Sequence, residues 1–91
     1  MSYQLTFSAK AKKDISRLKK NEKLAFKKLS QLLEELMVHP YTGTGRPEQL
    51  KYGMKGCWSR RISHKHRLVY EVVEQTITVN IKSAFGHYDD R

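Results

Sequence analysis

Two potential proton carriers and a group of cations lie in the second half of this chain. Glu48 falls in a turn-rich segment, and His87 follows the alternating apolar pattern of the last predicted strand. Histidine exchanges protons near neutral pH, and a positioned carboxylate can serve as a base. The densely basic stretch 58–70 lies between them and contains Arg61 and Arg67. This combination predicts phosphoryl-transfer chemistry on RNA without a metal ion.

RNA can be cleaved when its own 2′-hydroxyl attacks the adjacent phosphorus. The reaction needs a base for that hydroxyl, cations beside the phosphorane oxygens and an acid for the 5′-oxygen. A positioned acid or base raises the reaction rate by about 10²–10⁴-fold, and one oxyanion donor stabilises the transition state by about 2.7–4 kcal/mol. Glu48 is the candidate base and His87 the candidate acid. Candidate phosphate and base contacts are Arg67, Arg61, Lys51, Tyr88 and Trp58.

Each of these residues also has a purely structural interpretation. Glu48 could be a solvated loop carboxylate, and His87 a histidine of an unstructured tail. Arg67 could pair with Glu71, which shares its strand face. Arg60 and Arg61 point to opposite faces of a strand, so either could be an ordinary surface charge.

Three aromatic or imidazole side chains favour structural roles. Trp58 fits a core position. His64 and His66 share a strand face, which raises the possibility of a metal site, but no Cys, Asp or Glu lies at ligand spacing. We therefore expect the two histidines to flank a hairpin turn and predict no metal.

The composition favours a polyanionic partner. Of 91 residues, 18 are Lys or Arg and 9 are Asp or Glu, which gives a net charge of +9. Such a charge attracts polyanions. Nucleic acid is the first candidate partner, an acidic protein the second and an anionic membrane surface the third. No apolar run approaches the about 20 residues of a membrane span. With no signal-peptide pattern and one cysteine, Cys57, we expect a cytoplasmic protein of one domain, residues 1–91.

The apolar spacing predicts a strand, two helices and three further strands. Residues 3–7 alternate, Ser8 is a candidate N-cap for a helix over 9–20, and Asn21 a candidate cap for a helix to Val38. The predicted core stripes are Ala11, Ile15 and Leu18, then Ala25, Leu29, Leu32, Leu33 and Leu36.

Pro40 ends the second helix, and the Gly- and Pro-rich segment 39–57 is expected to carry site residues. Strands are predicted over 57–63, 66–73 and 76–86 as an antiparallel meander. The result is an α+β fold, β-α-α-β-β-β, with an antiparallel sheet that includes the N-terminal strand and a helical hairpin on one face. The other face is predicted to be polar and cationic, with Ser59, Arg61, Arg67 and Glu71.

Several motifs together resemble the Txe/YoeB family of toxins within the RelE superfamily. They are the segments 43–51 (GTGRPEQLK), 56–62 (GCWSRRI), 66–70 (HRLVY) and the pair His87-Tyr88. The match covers residues 38–88 in order and spacing, whereas residues 1–37 match only as a strand and two helices. Cys57 stands where relatives often carry an aromatic residue. Asp89-Asp90-Arg91 extend beyond the usual end and would place carboxylates beside His87, favouring its charged form.

The resemblance implies a RelE-like fold, similar to small microbial ribonucleases, and a ribosome-dependent mRNA endonuclease that cuts mRNA in the decoding site. It assigns the general base to Glu48, the general acid to His87 and phosphate stabilisation to Arg67, supported by Tyr88, Lys51 and Arg61. It further implies no metal or organic cofactor, homodimers, and a YefM/Phd-type antitoxin whose C-terminal segment wraps the toxin and blocks its site. The alternative is a non-catalytic RNA- or ribosome-binding module that acts by occupancy and has no use for an acid and a base.

Overall fold

Five strands form one sheet, in the order β1-β5-β4-β3-β2. The computed structural model describes residues 2–51 and 56–86. The strands are β1 Gln4–Phe7, β2 Glu48–Gln49, β3 Cys57–Arg61, β4 Arg67–Val73 and β5 Thr78–Ser83, with a short 3₁₀ turn, Glu74–Thr76, before β5. Two helices, α1 Ala9–Asn21 and α2 Lys23–Leu36, follow β1.

The predicted α+β fold with a helical hairpin and a C-terminal meander is confirmed, with two additions. β1 pairs with β5 in the parallel sense, so the sheet is mixed rather than wholly antiparallel. Alternation of apolar residues indicates which face of a strand is buried but not the direction of its neighbour. The two-residue strand β2 adds a fifth member beside β3 and carries Glu48.

Ser8 caps α1 as predicted. Its Oγ accepts a hydrogen bond from Ala11 N at 3.0 Å and donates one to Lys82 O at 2.8 Å, which also ties the helix to β5. Asp14 lies on the buried face of α1, where it accepts from Ala84 N at 3.0 Å and pairs with Lys10 at 2.7 Å. A buried carboxylate with two such partners explains how a polar residue lies on an apolar stripe.

The predicted cap of α2 is wrong. Asn21 is the last residue of α1, and Glu22 occupies the N-cap position without a side-chain cap bond. The Glu22 carboxylate contacts His66 instead. The predicted apolar stripe of α2 is confirmed, with Leu33 half-buried and four residues fully or nearly buried: Ala25, Leu29, Leu32 and Leu36.

The helices cover one face of the sheet. Leu68 and Tyr70 of β4 pack there with Val79 and Ile81 of β5, and Trp58 packs against the same core. The opposite face is not wholly polar, because Val69 forms a small buried cluster with Cys57 and Leu50. Burial raises the pKa of the Cys57 thiol.

β3 and β4 are shorter than predicted because a turn occupies residues 62–66, and β5 is shorter at both of its ends. Ile62 N donates to His66 O at 3.0 Å, closing that turn. His66 ends the turn as expected, whereas His64 lies within it rather than beside it. Within the described part of the chain, no helix is long and apolar enough to cross a bilayer.

Candidate active site

Glu48 and Arg67 meet on one face of the sheet. Glu48 is opposite Ser59 in the β2–β3 pair, and Arg67 is opposite Arg61 in the β3–β4 pair. This register brings Arg67 Nη1 to 3.1 Å from Glu48 Oε1. The Arg67 side chain is 19% exposed and that of Glu48 60% exposed, so the pair is open to a ligand.

The alternative pairing of Arg67 with Glu71 is wrong. Glu71 Oε1 instead accepts from Asn80 Nδ2 at 3.2 Å and lies 3.9 Å from Lys82 Nζ. The reason is position along the strand, because Arg67 begins β4 and Glu71 lies four residues further on, beside β5.

The floor beneath this pair contains two buried polar atoms. Among the described residues, Ser59 Oγ and Arg67 Nε have no hydrogen-bond partner. Buried polar groups are normally satisfied, so exceptions require an explanation. Because both atoms are buried, a ligand could satisfy them only if the side chains around them moved.

Arg61 and Lys51 extend the positive charge around the pair. Arg61 is exposed and, together with Arg67, lines a cleft of about 540 Å³. Lys51 is exposed and directly follows the buried Leu50 at the end of the β2 segment. Both cations therefore lie on segments that adjoin Glu48 or Arg67.

His87 and Tyr88 lie outside the described residues. The preceding residue, Gly86, is well anchored: its O accepts from Arg67 N at 2.9 Å and its N donates to His66 Nδ1 at 2.9 Å. Phe85 packs on the His66 ring with centroids 4.2 Å apart, and the Arg17 guanidinium lies 3.8 Å from the Phe85 ring centre. The chain is thus held beside the backbone of Arg67 up to residue 86.

Both ring nitrogens of His66 are used in this anchorage. Nδ1 accepts from Gly86 N, so the ring proton resides on Nε2, which donates to Glu22 Oε2 at 2.9 Å. These bonds explain why His66 is buried and leave it no nitrogen for a metal ion. Among residues 2–51 and 56–86, no group of three or more His, Cys, Asp or Glu is arranged to hold one.

Arg60 is a positioning residue that sequence reasoning did not identify. It is fully buried, and its guanidinium donates to Glu35 Oε1 at 2.9 Å and to Tyr70 OH at 3.1 Å. It also donates to three loop carbonyls, those of His39, Thr42 and Thr44. The segment that leads from α2 to Glu48 is therefore fixed by one side chain.

Glu35 completes this network. Hydrogen bonds from Thr44, assisted by Arg60, lower the pKa of the Glu35 carboxyl, although burial opposes the shift. Thr44 N donates to Glu35 Oε1 at 2.8 Å. Gly43 is required at the same point, because its φ is +125° and a Cβ there would collide with Glu35 Oε1.

Known proteins are similar to this chain in sequence and in fold. A family model described as "YoeB-like toxin of bacterial type II toxin-antitoxin system" matches residues 7–88. Toxin YoeB of Escherichia coli K12 is 34% identical over 76 residues, 84% of this chain and 90% of the relative. A YoeB/ParE toxin from Agrobacterium tumefaciens superposes with a TM-score of 0.88 at 29% identity, covering 93% of this chain and 99% of that one.

Two structures of a YoeB toxin from Staphylococcus aureus, in different assemblies, each contain a chain similar to this one. The YoeB–YefM complex superposes with a TM-score of 0.81 and the YoeB dimer with 0.83, each at 38% identity and covering 94% of this chain and 98% of the other. Two helices against a five-stranded mixed sheet are thus the fold of a RelE-like toxin. The chain belongs to the YoeB-like toxin family of bacterial type II toxin–antitoxin systems.

Proposed function

We propose that this toxin is a ribosome-dependent mRNA endonuclease that cuts translated mRNA in the ribosomal A site and so inhibits translation. The observation that carries this proposal is the Glu48–Arg67 pair, 3.1 Å apart on an exposed cationic face. Family membership supports ribonuclease activity in general. The pairing of a carboxylate with an arginine supports the particular chemistry.

In the proposed reaction, Glu48 removes the proton from the 2′-hydroxyl, and the oxygen attacks the adjacent phosphorus. The bond from phosphorus to the 5′-oxygen breaks as His87 donates a proton to that oxygen. The products are a 2′,3′-cyclic phosphate and a 5′-hydroxyl end. Every proton transfer is assigned to a side chain, so the scheme needs no metal or organic cofactor.

Arg67 stabilises the phosphorane in this scheme. Its Nη1 holds Glu48, while its remaining N–H groups can donate to phosphate oxygens. Arrival of the phosphate would draw Arg67 away from Glu48 and leave the carboxylate available as the base. Tyr88 supports the reacting groups, and Lys51 and Arg61 bind the RNA backbone.

The anchorage of Gly86 supports the role of the tail. Because Gly86 bonds to Arg67 N, the chain enters its last residues beside the arginine that would hold the phosphate. His87 need only reach the leaving oxygen from that point. The predicted stacking role of Trp58 is less well supported, since Trp58 packs against the core and lies 5.2 Å from the Tyr41 ring.

We also propose that residues 1–91 act as one domain in the cytoplasm, neutralised by a YefM/Phd-type antitoxin and able to form homodimers. The S. aureus structures, one a YoeB–YefM complex and one a YoeB dimer, support both partners. Ribosomes, mRNA and the antitoxin would then meet the protein in the same compartment.

Primer extension on mRNA under translation tests the activity. We expect discrete breaks with 5′-hydroxyl ends, and a loss of about 10²-fold or more for Glu48→Gln or His87→Gln, each of which removes a proton-transfer group. Glu34→Gln, on the exposed side of α2, is the matched control. Translation arrest without breaks would favour blockage by occupancy, and unchanged cleavage by both variants would refute the mechanism.

A further inference from the structure

A cleft beside the Glu48–Arg67 pair is lined by cations, and none of its described lining residues carries a carboxylate. Three segments form it: α2, the loop before β2, and the β3–β4 turn with its flanking strand ends. Its volume is about 540 Å³. The lining residues are Lys28, Gly45, Arg46, Arg61, Ile62, Ser63, His64 and Arg67.

Three of the cationic side chains that line the cleft are not neutralised by a described carboxylate. No ion pair links Lys28, Arg46 or Arg61 to a described carboxylate, whereas Lys10, Arg60, Arg67 and Lys82 each have one. Gathering like charges in a concave site costs free energy and focuses a field that attracts anions. The arrangement therefore indicates a site for a polyanion.

The rim of the cleft has a fixed backbone. Gly45 O accepts from Arg61 N at 2.7 Å, and a Cβ on Gly45 would lie 3.0 Å from Arg61 O. Arg46 follows with a φ of +54°, a left-handed conformation that costs free energy for an arginine. Pro47 comes directly after it and restricts the chain further. Arg46 is thus held at the rim by its surroundings.

We propose that this cleft binds the RNA backbone on one side of the scissile phosphate, with Lys28 and Arg46 as phosphate contacts. The inference rests on the proposed endonuclease function and extends it to a further subsite. Arg61 and Arg67 line the cleft, and Arg67 also holds Glu48. An RNA chain whose scissile phosphate lies on Arg67 would therefore continue directly into the cleft.

The lining favours RNA over an acidic protein segment. Ile62 is the one aliphatic side chain among the described lining residues, and it is nearly fully buried. Protein interfaces depend on apolar or aromatic anchors, whereas nucleic-acid contacts are mainly ionic bonds to phosphate. The volume is also within the range of about 300–1,000 Å³ that small-ligand sites occupy, enough for a nucleotide.

The test compares two double variants of equal net charge. Lys28→Gln with Arg46→Asn removes both proposed contacts, and asparagine tolerates the left-handed backbone at position 46. Lys27→Gln with Lys12→Gln removes two exposed helical charges outside the cleft. Equal melting temperatures and circular dichroism would establish that all proteins fold alike.

Binding is measured by fluorescence anisotropy on a short single-stranded RNA made uncleavable by one 2′-deoxy substitution, over a series of salt concentrations. Each lost phosphate contact should reduce the slope of log K against log salt by about 0.7, so the cleft variant should lose about 1.4. We expect RNA binding by the cleft variant to be about tenfold weaker than that of the wild type. For the control variant, the loss of affinity and the change of slope should each be less than half as large. Equal slopes and affinities for the two variants would overturn the proposal.

Two further measurements separate the remaining outcomes. One is mRNA cleavage on ribosomes, and the other is binding of a glutamate decapeptide. The cleft variant should need more toxin for half-maximal cleavage while the maximal rate changes little. If the wild type binds RNA through the cleft but never cleaves, the endonuclease function fails and the subsite stands. If the cleft variant binds the decapeptide less tightly but RNA unchanged, the cleft is a peptide site and the proposal fails.

Discussion

Three groups of Arg67 lie in different environments. Nη1 meets Glu48, Nε is buried without a described partner, and the backbone N holds Gly86. A planar guanidinium can serve two phosphate oxygens at once, whereas the ammonium of lysine is a point charge on a flexible stem. The contribution of Arg67 to catalysis should therefore depend on its shape as well as its charge.

Arg67→Lys tests this dependence on shape. We expect the maximal rate of mRNA cleavage on ribosomes to fall by roughly 10- to 100-fold, because charge is kept while the two-point contact is lost. Single-turnover cleavage at saturating toxin is the measurement. Lys12→Arg, an exchange of the same two residue types on the exposed side of α1, is the control. Turnover close to wild type would show that charge alone suffices.

At the scale of elements, the segment between α2 and β2 is held by the Glu35–Arg60 network. Arg60 is fully buried and donates to that loop and to Tyr70, while Glu35 accepts from both Arg60 and Thr44. Removing one partner of such a network leaves buried donors without an acceptor. Stability and the position of Glu48 should therefore depend on Glu35.

Glu35→Ala is expected to lower the free energy of unfolding by about 2 kcal/mol, since a buried donor left unsatisfied costs about 1–3 kcal/mol. Urea unfolding at neutral pH measures this. Glu34→Ala, its exposed neighbour on α2, controls for the change in helix composition. An equal loss of unfolding free energy in both variants would show that the network does not contribute to stability.

The pH dependence of the same carboxyl has a defined sign. The pKa of Glu35 is lowered from 4.5, so the folded state favours its charged form. Its stabilisation is then fully present above pH 4.5 and is lost as the pH falls through the folded pKa. The stability difference between wild type and Glu35→Gln should accordingly shrink in urea titrations below that pH. A difference that stays constant with falling pH would contradict the assignment.

The helices and the order of elements could be predicted from sequence because they depend on local spacing. The stripe Ala25, Leu29, Leu32 and Leu36 repeats every three or four residues, and that spacing alone identifies a buried helical face. Glu48 and Arg67 were candidates by residue type, and the resemblance gave each a role, but no spacing in the sequence predicts that they meet. Their contact depends on the two-residue strand β2, which is too short to produce an alternating pattern.

Other features depend on distant partners that no local pattern contains. Arg60 alternates onto the buried face of β3, but its burial is acceptable only because three loop carbonyls and Glu35 converge on it. Glu22 occupies the N-cap position that was predicted for Asn21, and its contact with His66 joins residues 44 positions apart. The parallel pairing of β1 with β5 likewise joins segments more than 70 residues apart in sequence.

The charge of the whole molecule determines how it should respond to a partner. The net charge is +9, and basic residues occupy both the helical hairpin and the face that carries Glu48. An acidic antitoxin segment would be attracted over long distances and would stabilise the folded toxin by mass action. The attraction should weaken as salt screens the charges.

Mixing with the cognate YefM/Phd-type antitoxin should raise the melting temperature. At free antitoxin of 100 times Kd the stabilisation is about 2.7 kcal/mol, which corresponds to about 10 °C or more for a domain of this size. Differential scanning calorimetry at low and high salt measures the shift. An antitoxin that lacks its C-terminal segment is the control, and an unchanged melting temperature with the intact antitoxin would count against the pairing.

The strand order also determines when the toxin can become active during its own synthesis. β5 lies between β1 and β4 in the sheet, although it is translated after both. Until residues 78–86 emerge, β1 has no neighbour in the sheet and Gly86 cannot reach Arg67. A nascent chain therefore contains Glu48 and Arg67 before it can assemble the proposed site.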